Sequence, residues 1–440
     1  MKKILTTALK TYLVTYVIAI LLFGFAFYSN TVSWTKLLST LFNFVFSKGG
    51  IITVHVLYIL FLILLLITKY FISVYKRKGF KSFIIQLFSR LILPVVVVTY
   101  SLKSIVDNNN NEDFIYEWNS SVENNTKISK RRFLKDSKIR GMSVYQIGRR
   151  EAFQVNNLIK SNIEWVAVIP YFYQKDENTI QINTPKKVGI WSKRDSTFIK
   201  GIHALRSKGL ATMIKPHLWM SSGWRSNINF KEKDDWNRWF LGYRKNMIHY
   251  ATMAQETNAE LFCIGTELRS SLKEVPEKWI ALIKEIKSIY TGKLTYAANW
   301  DDTFDFPEFW RELDYIGIQA YFPLTENSSP NLTEIKNGWN KHILYLKSLT
   351  TKYNKPILFT EIGYRNDIHA TKKPWEWGSF FERLYKKKSD KTQLLAYQAL
   401  FEKLWTQDWF AGLFPWEWTS SDFPIYKKPS QNIITIWYHK

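Results

Sequence analysis

The sequence predicts an α/β fold: a closed (β/α)8 barrel of the TIM type, preceded by an N-terminal helical transmembrane region. Three observations carry this. From about Ile139 to Lys440, short apolar runs alternate with amphipathic segments of helical length. Eight such strand candidates fall within about 300 residues, a spacing that suits closure of a parallel sheet into a barrel. Ahead of them lie three long apolar runs in a stretch without acidic residues.

Residues 1–106 contain 12 Lys and Arg and no Asp or Glu, so half of the net charge of +24 sits in the first quarter of the chain. The apolar runs are Thr11–Tyr28, Ile51–Ser73 and Phe83–Leu102. A spanning helix needs about 20 mostly apolar residues. Lys69 lies near the end of the second run, where its stem can reach the interface. The third contains Arg90 and Pro94, which leaves a membrane-surface helix as its alternative. Lys2, Lys3 and Lys10 precede the first run, and Lys76, Arg77, Lys78 and Lys81 lie between the second and third. Only Lys36 and Lys48 lie between the first and second. The excess of Lys and Arg on cytoplasmic loops then places the N-terminus in the cytoplasm. Everything after about Val106 falls outside it, so the chain is expected to be an integral membrane protein with the lipid bilayer as a partner. No small-x-small cleavage site follows the first run, which reads as an anchor rather than a removed leader.

Residues 107–138 carry NNNN, SS and NNT without apolar periodicity and are expected to form a polar linker. Asn119, Asn124, Asn327 and Asn331 stand in glycosylation sequons, which matter only in a glycosylating pathway.

The barrel domain is expected over 139–440. Its candidate strands are Met142–Gln146, Trp165–Tyr171, Ala211–His217, Leu261–Gly265, Leu294–Asn299, Tyr315–Ala320, Ile357–Thr360 and Gly412–Trp416, rich in Val, Ile, Phe and Tyr. Helices are expected between many of them. Trp236, Phe240, Tyr243, Met247, Tyr250 and Ala254 form one apolar stripe at helical spacing. Pro276 suits a first turn ahead of Trp279, Ile283 and Ile286, with Gly292 at the exit. Trp339, Ile343, Leu346 and Tyr353 mark a further helix, and Leu394, Tyr397, Phe401 and Leu404 the last. An open doubly wound sheet is the alternative, but no Gly-rich phosphate loop opens the domain.

Active sites of such barrels lie at the C-terminal ends of the strands. Two apolar runs end there on a carboxylate: LFCIGTEL on Glu267, in the fourth strand unit, and KPILFTEIGY on Glu361, in the seventh. Each alone reads as a capping or solvated residue. Together, on one rim, they are what glycoside hydrolysis requires: one carboxyl protonated to release the leaving oxygen, one ionised to attack the sugar carbon. The other strand ends supply Lys215, His217, Asn299, Trp300, Tyr321, Trp416 and Trp418, groups that stack on sugar rings or bond their hydroxyls. Each has a plainer alternative. Trp416 and Trp418 could be core aromatics, Tyr321 a strand end, His217 a structural histidine, Lys215 the partner of a carboxylate away from the ligand, and Asn299 a turn former. Asp301 and Asp302 are expected to cap the next segment, and alternation points Glu417 away from the mouth.

Other classes find little support. The basic balance comes without a nucleic-acid-binding motif, so no nucleic acid is expected as a partner. Cys263 is the single cysteine and reads as a core residue; no disulfide can form within the chain. The seven histidines show no metal-binding spacing, and neither metal nor organic cofactor is expected.

The ordered series KPHLWM, WRS, CIGTEL, DYIGIQAYFPL, FTEIGY and FPWEW resembles glycoside hydrolase family 113, from about Ile139 to the C-terminus. That resemblance implies a retaining β-glycosidase of the clan with glutamates on strands four and seven, acting mainly on β-1,4-mannans. It implies Glu267 as acid/base, Glu361 as nucleophile, Tyr321 as hydrogen-bond donor to the nucleophile, and Trp416 or Trp418 beneath the sugar. Lys215, His217, Trp224, Arg225, Asn299 and Trp300 match subsite positions. The clan's frequent Asn-Glu pair is Thr266-Glu267 here, which leaves open what binds the sugar 2-hydroxyl. The membrane region has no counterpart in the resemblance. The expected partner is a poly- or oligosaccharide substrate. A transglycosidase would use the same glutamates and is separated by product analysis with an acceptor sugar present. A noncatalytic, membrane-tethered glycan-binding protein would bind without turnover.

Overall fold

The computed structural model describes residues 9–14, 16–18, 47–110, 112–124, 128, 131–145, 147, 151–378, 382 and 386–440. The chain divides into two compact units, Met1–Ile105 and Val106–Lys440.

In the first unit, helix Lys48–Leu87 leads through a π-helical turn, Phe88–Ile92, into helix Leu93–Asn110. Gly79 breaks the run with φ 74° and ψ 178°, a conformation that costs little only without a Cβ. The chain turns back there: the Phe71 and Phe83 rings lie 6.0 Å apart, and the Tyr70 hydroxyl donates to Gln86. The break falls inside the basic stretch 76–81, between the second and third expected runs. By length and composition, the segment Gly49–Asn109 is the one among the described residues apolar enough to cross a membrane, and its most apolar stretch is almost wholly exposed. The first expected run, Thr11–Tyr28, lies largely outside the described residues.

The second unit is a closed barrel of eight parallel strands, with β1 Ile139–Val144, β2 Trp165–Val168, β4 Ala211–Ile214, β6 Leu261–Thr266, β7 Lys293–Asn299, β8 Tyr315–Gln319, β9 Ile357–Ile362 and β10 Phe410–Pro415 in ring order. Two short strands, β3 Tyr171–Gln174 and β5 His217–Met220, pair with each other beyond the rim. They continue the second and third expected strands, which are interrupted at Pro170 and Pro216. Proline lacks the N–H that a ladder needs, so the pairing stops and resumes outside the barrel.

The interior is filled by compact side chains such as Ala167, Ala211, Met213, Cys263, Ala297 and Leu358. The outer strand faces pack on helices. Lys233–Glu256 buries the whole expected stripe from Trp236 to Ala254. Pro276 opens Pro276–Ile289, which ends one turn before Gly292. Asn331 closes a capping box on Leu332–Tyr353, and Asp390–Leu404 is the last of the expected helices.

One irregularity decides where a carboxylate points. Along β9, Ile357 and Phe359 face the helices while Leu358 faces inward. Strict alternation would turn Glu361 outward with Phe359. The register with β8 slips between Ile318↔Phe359 and Gln319↔Glu361, and this bulge brings Glu361 to the mouth.

The expected linker makes specific contacts with the barrel. Glu112 accepts hydrogen bonds from the Asp390 amide (2.6 Å) and the Ser389 hydroxyl (2.7 Å) at the start of helix Asp390–Leu404. Asn119 and Asn432 exchange two bonds of 2.9 Å. Asp136 pairs at 2.7 Å with Arg140, which is 1% exposed. Truncation to Ile139 would leave that buried guanidinium without its carboxylate. We expect such a fragment to be about 1–3 kcal/mol less stable than one starting at Asp107, the range for charged hydrogen bonds at a partly exposed carboxylate. Equal denaturation midpoints would show that these contacts add nothing.

Candidate active site

Glu361 is held from below and from one side. Lys215, at the end of β4, donates its three ammonium hydrogens to Glu361 Oε2 (2.7 Å), Gln319 Oε1 (2.8 Å) and the Thr360 carbonyl (3.2 Å). Gln319 Nε2 also donates to Oε2, at 3.1 Å. The Tyr321 hydroxyl donates to Oε1. Lys215 therefore corrects an expectation. It is fully buried with all donors engaged, so it supports Glu361 and has none left for a sugar.

Glu267 stands just past β6 in the left-handed region, φ 54°, and its amide still bonds to the Ala297 carbonyl at 2.9 Å. The segment after β5 escorts it. Arg225 Nε (3.1 Å) and Trp224 Nε1 (3.4 Å) both donate to Oε2. Ser226 donates to the Glu267 carbonyl at 2.7 Å and accepts from Asn299 Nδ2 at 3.2 Å. Arg225 is itself fixed by the Leu218 carbonyl at 3.0 Å. Among the described residues, no donor reaches Glu267 Oε1.

Both glutamates line one cavity of about 530 Å3, together with His217, Trp224, Arg225, Asn299, Trp300, Tyr321 and Trp416. Nine of the eleven expected site residues thus meet at one mouth. Trp418 does not. It is 1% exposed, its amide bonds to the Ser143 carbonyl, and its ring packs 5.0 Å from Tyr426, so it belongs to the core. Of the two tryptophans, Trp416 is the one at the cavity, stacked 6.0 Å from His217.

Several lining residues escaped the sequence reading. Gln319 ends β8 two positions before Tyr321 and could have been found from the same strand-end argument. Trp219, Trp375 and Trp377 are exposed at the rim, with Trp375 stacked 5.2 Å from Trp300. The Trp-Glu-Trp of 375–377 repeats that of 416–418, a signal that was legible. Asp301 also lines the cavity, and both it and Asp302 bond Arg269.

The electrostatics follow from burial. Burial, with Lys215 and Arg225 adding to it, pushes the His217 imidazole well below its ordinary range, so it is neutral at pH 7. Burial and the Glu361 charge push the Tyr321 phenol well up, with Glu267 adding to the effect, so it stays a donor. Burial raises Asp302 to about 6 against the pull of Arg269. Burial and the Glu361 charge raise Glu417 to about 7. Glu417 thus lies within electrostatic reach of Glu361, although it is not among the residues that line this cavity. Alternation does not extend past Pro415, where β10 ends.

Residues 146–439 match the family described as Glycoside Hydrolase Family 113. No curated protein matches the chain. Among solved structures, a GH113 β-1,4-mannanase in a complex is similar at 23% identity and TM-score 0.59, over 69% of this chain and 99% of that one. The GH113 β-mannanase of Alicyclobacillus acidocaldarius in complex with ManMIm is similar at 23% identity and TM-score 0.58, over 68% and 97%. These likenesses show the barrel fold, and the family match spans well over half of the sequence. The chain belongs to glycoside hydrolase family 113.

Proposed function

We propose that this hydrolase cleaves a β-linked glycan of the β-1,4-mannan class by double displacement, with retention of configuration. The observation that carries the reading is the unequal saturation of two carboxylates in one cavity. Glu361 Oε2 is held by Lys215 and Gln319, while among the described residues Oε1 accepts only from Tyr321 and keeps a lone pair for attack. Glu267 takes both of its side-chain donors on Oε2, which leaves Oε1 to carry the proton.

In the first step Glu361 Oε1 attacks the anomeric carbon and Glu267 gives its proton to the departing glycosidic oxygen. In the second, Glu267 takes a proton from water, whose oxygen displaces Glu361 from the sugar. The buried Lys215 charge balances Glu361 before attack and after release. The similarity to β-1,4-mannanases supports the substrate class, and the exposed rim tryptophans suit a sugar chain longer than one unit. We further propose that segment 49–109 anchors the chain in a bilayer, with the barrel on the extracytoplasmic side.

Leaving-group dependence tests the roles. Glu267→Ala should cost about 10²–10⁴-fold on β-1,4-mannan, the usual range for general acid catalysis. It should cost under about tenfold on a dinitrophenyl β-mannoside in azide, where neither acid nor base is needed. Equal losses on both substrates would contradict Glu267 as proton donor. Failure of the detergent-solubilised wild type to cut mannan or glucomannan would contradict the substrate class.

A further inference from the structure

We propose that Glu417 is a sugar-binding carboxylate on the glycone side of the site. There it accepts hydrogen bonds from donor groups of the sugar, hydroxyl or ammonium, and disfavours uronic acids. This rests on the two-glutamate reading above.

Position comes from the order of strands. At the C-terminal ends of the strands, in ring order, come Tyr145 just past β1, Glu417 past β10, Glu361 on β9, Tyr321 past β8, Asn299 on β7 and Glu267 past β6. Glu267 hands its proton to the departing group on the β6 side of Glu361. The retained sugar must then extend to the other side, toward β10 and β1. Glu417 follows the cavity-lining Trp416 there.

Chemistry comes from what Glu417 lacks. Glu361 has Lys215, Glu267 has Arg225, and Asp302 has Arg269. Glu417 is 8% exposed, yet among the described residues no group donates a hydrogen bond to it and no cation pairs with it. The charged or titratable groups that face it are Glu361 and the Tyr145 phenol. A mostly buried carboxylate without a partner is costly and rare in a purely structural role. A sugar hydroxyl or ammonium would satisfy it. A uronate would instead add a negative charge beside Glu361, and Lys215 has no donor left to receive it.

The test uses the detergent-solubilised full chain as wild type, Glu417→Gln and Glu417→Ala. Substrates are mannohexaose, a β-linked glucosamine oligomer and a β-linked glucuronate-containing oligomer. Both variants should lose about ten- to a hundredfold in kcat/KM on whichever of the first two the wild type cleaves, the loss expected for a charge-assisted hydrogen bond. A larger loss on the glucosamine oligomer assigns the donor as ammonium; a larger loss on mannohexaose assigns it as hydroxyl. Glu417→Gln should also narrow the discrimination against the glucuronate oligomer.

Melting separates this from a structural role. The folded carboxyl titrates above its unfolded value, so the folded state binds the extra proton. Wild-type stability should therefore fall relative to Glu417→Gln as pH rises from about 4.5 to about 7. Unchanged kcat/KM in Glu417→Gln, from an active wild type, would overturn this inference and leave the hydrolase reading standing. A wild type inactive on every glycan would overturn both.

Discussion

Glu361→Gln should lower kcat on β-1,4-mannan by at least about 10⁴-fold, as removal of a covalent nucleophile does in other hydrolases. The amide has nearly the shape of the carboxylate and can still accept a hydrogen bond from Lys215, but it cannot form the glycosyl ester. KM should change little, because Trp416, Asn299 and Trp224 are untouched. The melting temperature should fall, because the buried Lys215 ammonium keeps its hydrogen-bond acceptors but loses its counter-ion, so the two proteins are compared at a temperature where both are folded. Reducing-end release with wild type and variant side by side is the measurement. A loss under tenfold would remove Glu361 from the reaction.

Lys215→Met should be the most destabilising single change at the site. The ammonium is fully buried and bonds three oxygens, those of Glu361, Gln319 and Thr360. Methionine fills the space but leaves Glu361 as a nearly buried charge without its counter-ion. Removing one partner of such a pair costs about 3–5 kcal/mol. Adding Glu361→Gln removes the stranded charge, so the double variant should be more stable than Lys215→Met alone. Denaturant titration of the three proteins gives the coupling. Additive losses would mean that Lys215 is not the counter-ion of Glu361.

These effects trace back to features of unequal legibility in the sequence. The strand units ending on Glu267 and Glu361 were readable because an apolar run closing on an acid is unusual, and two on one rim share a chemical explanation. The ring order of the barrel follows from strand–helix alternation, and the stripe from Trp236 to Ala254 is buried as its spacing implies. What hides from sequence is whatever depends on local departures from period. The bulge that turns Glu361 inward lies between strands forty residues apart, and neither strand shows it alone. Glu417 lies past the end of β10, where alternation no longer assigns a face. Lys215 and Trp418 read as sugar-contacting types, but depth separates a supporting lysine and a core tryptophan from groups at the cavity. The Pro170 and Pro216 interruptions were visible as residues, and their consequence, a second small sheet above the rim, depends on the two strands breaking at the same level. The polar stretch before β1 lacks periodicity because it docks through individual hydrogen bonds, such as those of Glu112 and Asn119, and not through an apolar face.

The central claim is that Glu361 becomes covalently attached to the sugar during turnover. Incubating the active full chain with 2-deoxy-2-fluoro-β-mannosyl fluoride, then mapping the adduct by peptide mass spectrometry, tests it most directly. The account predicts one fluoroglycosyl group per chain, on Glu361, with activity lost in step with labelling and recovered as the adduct is hydrolysed. An adduct on another residue, or turnover that releases the inverted anomer with no adduct, would contradict it.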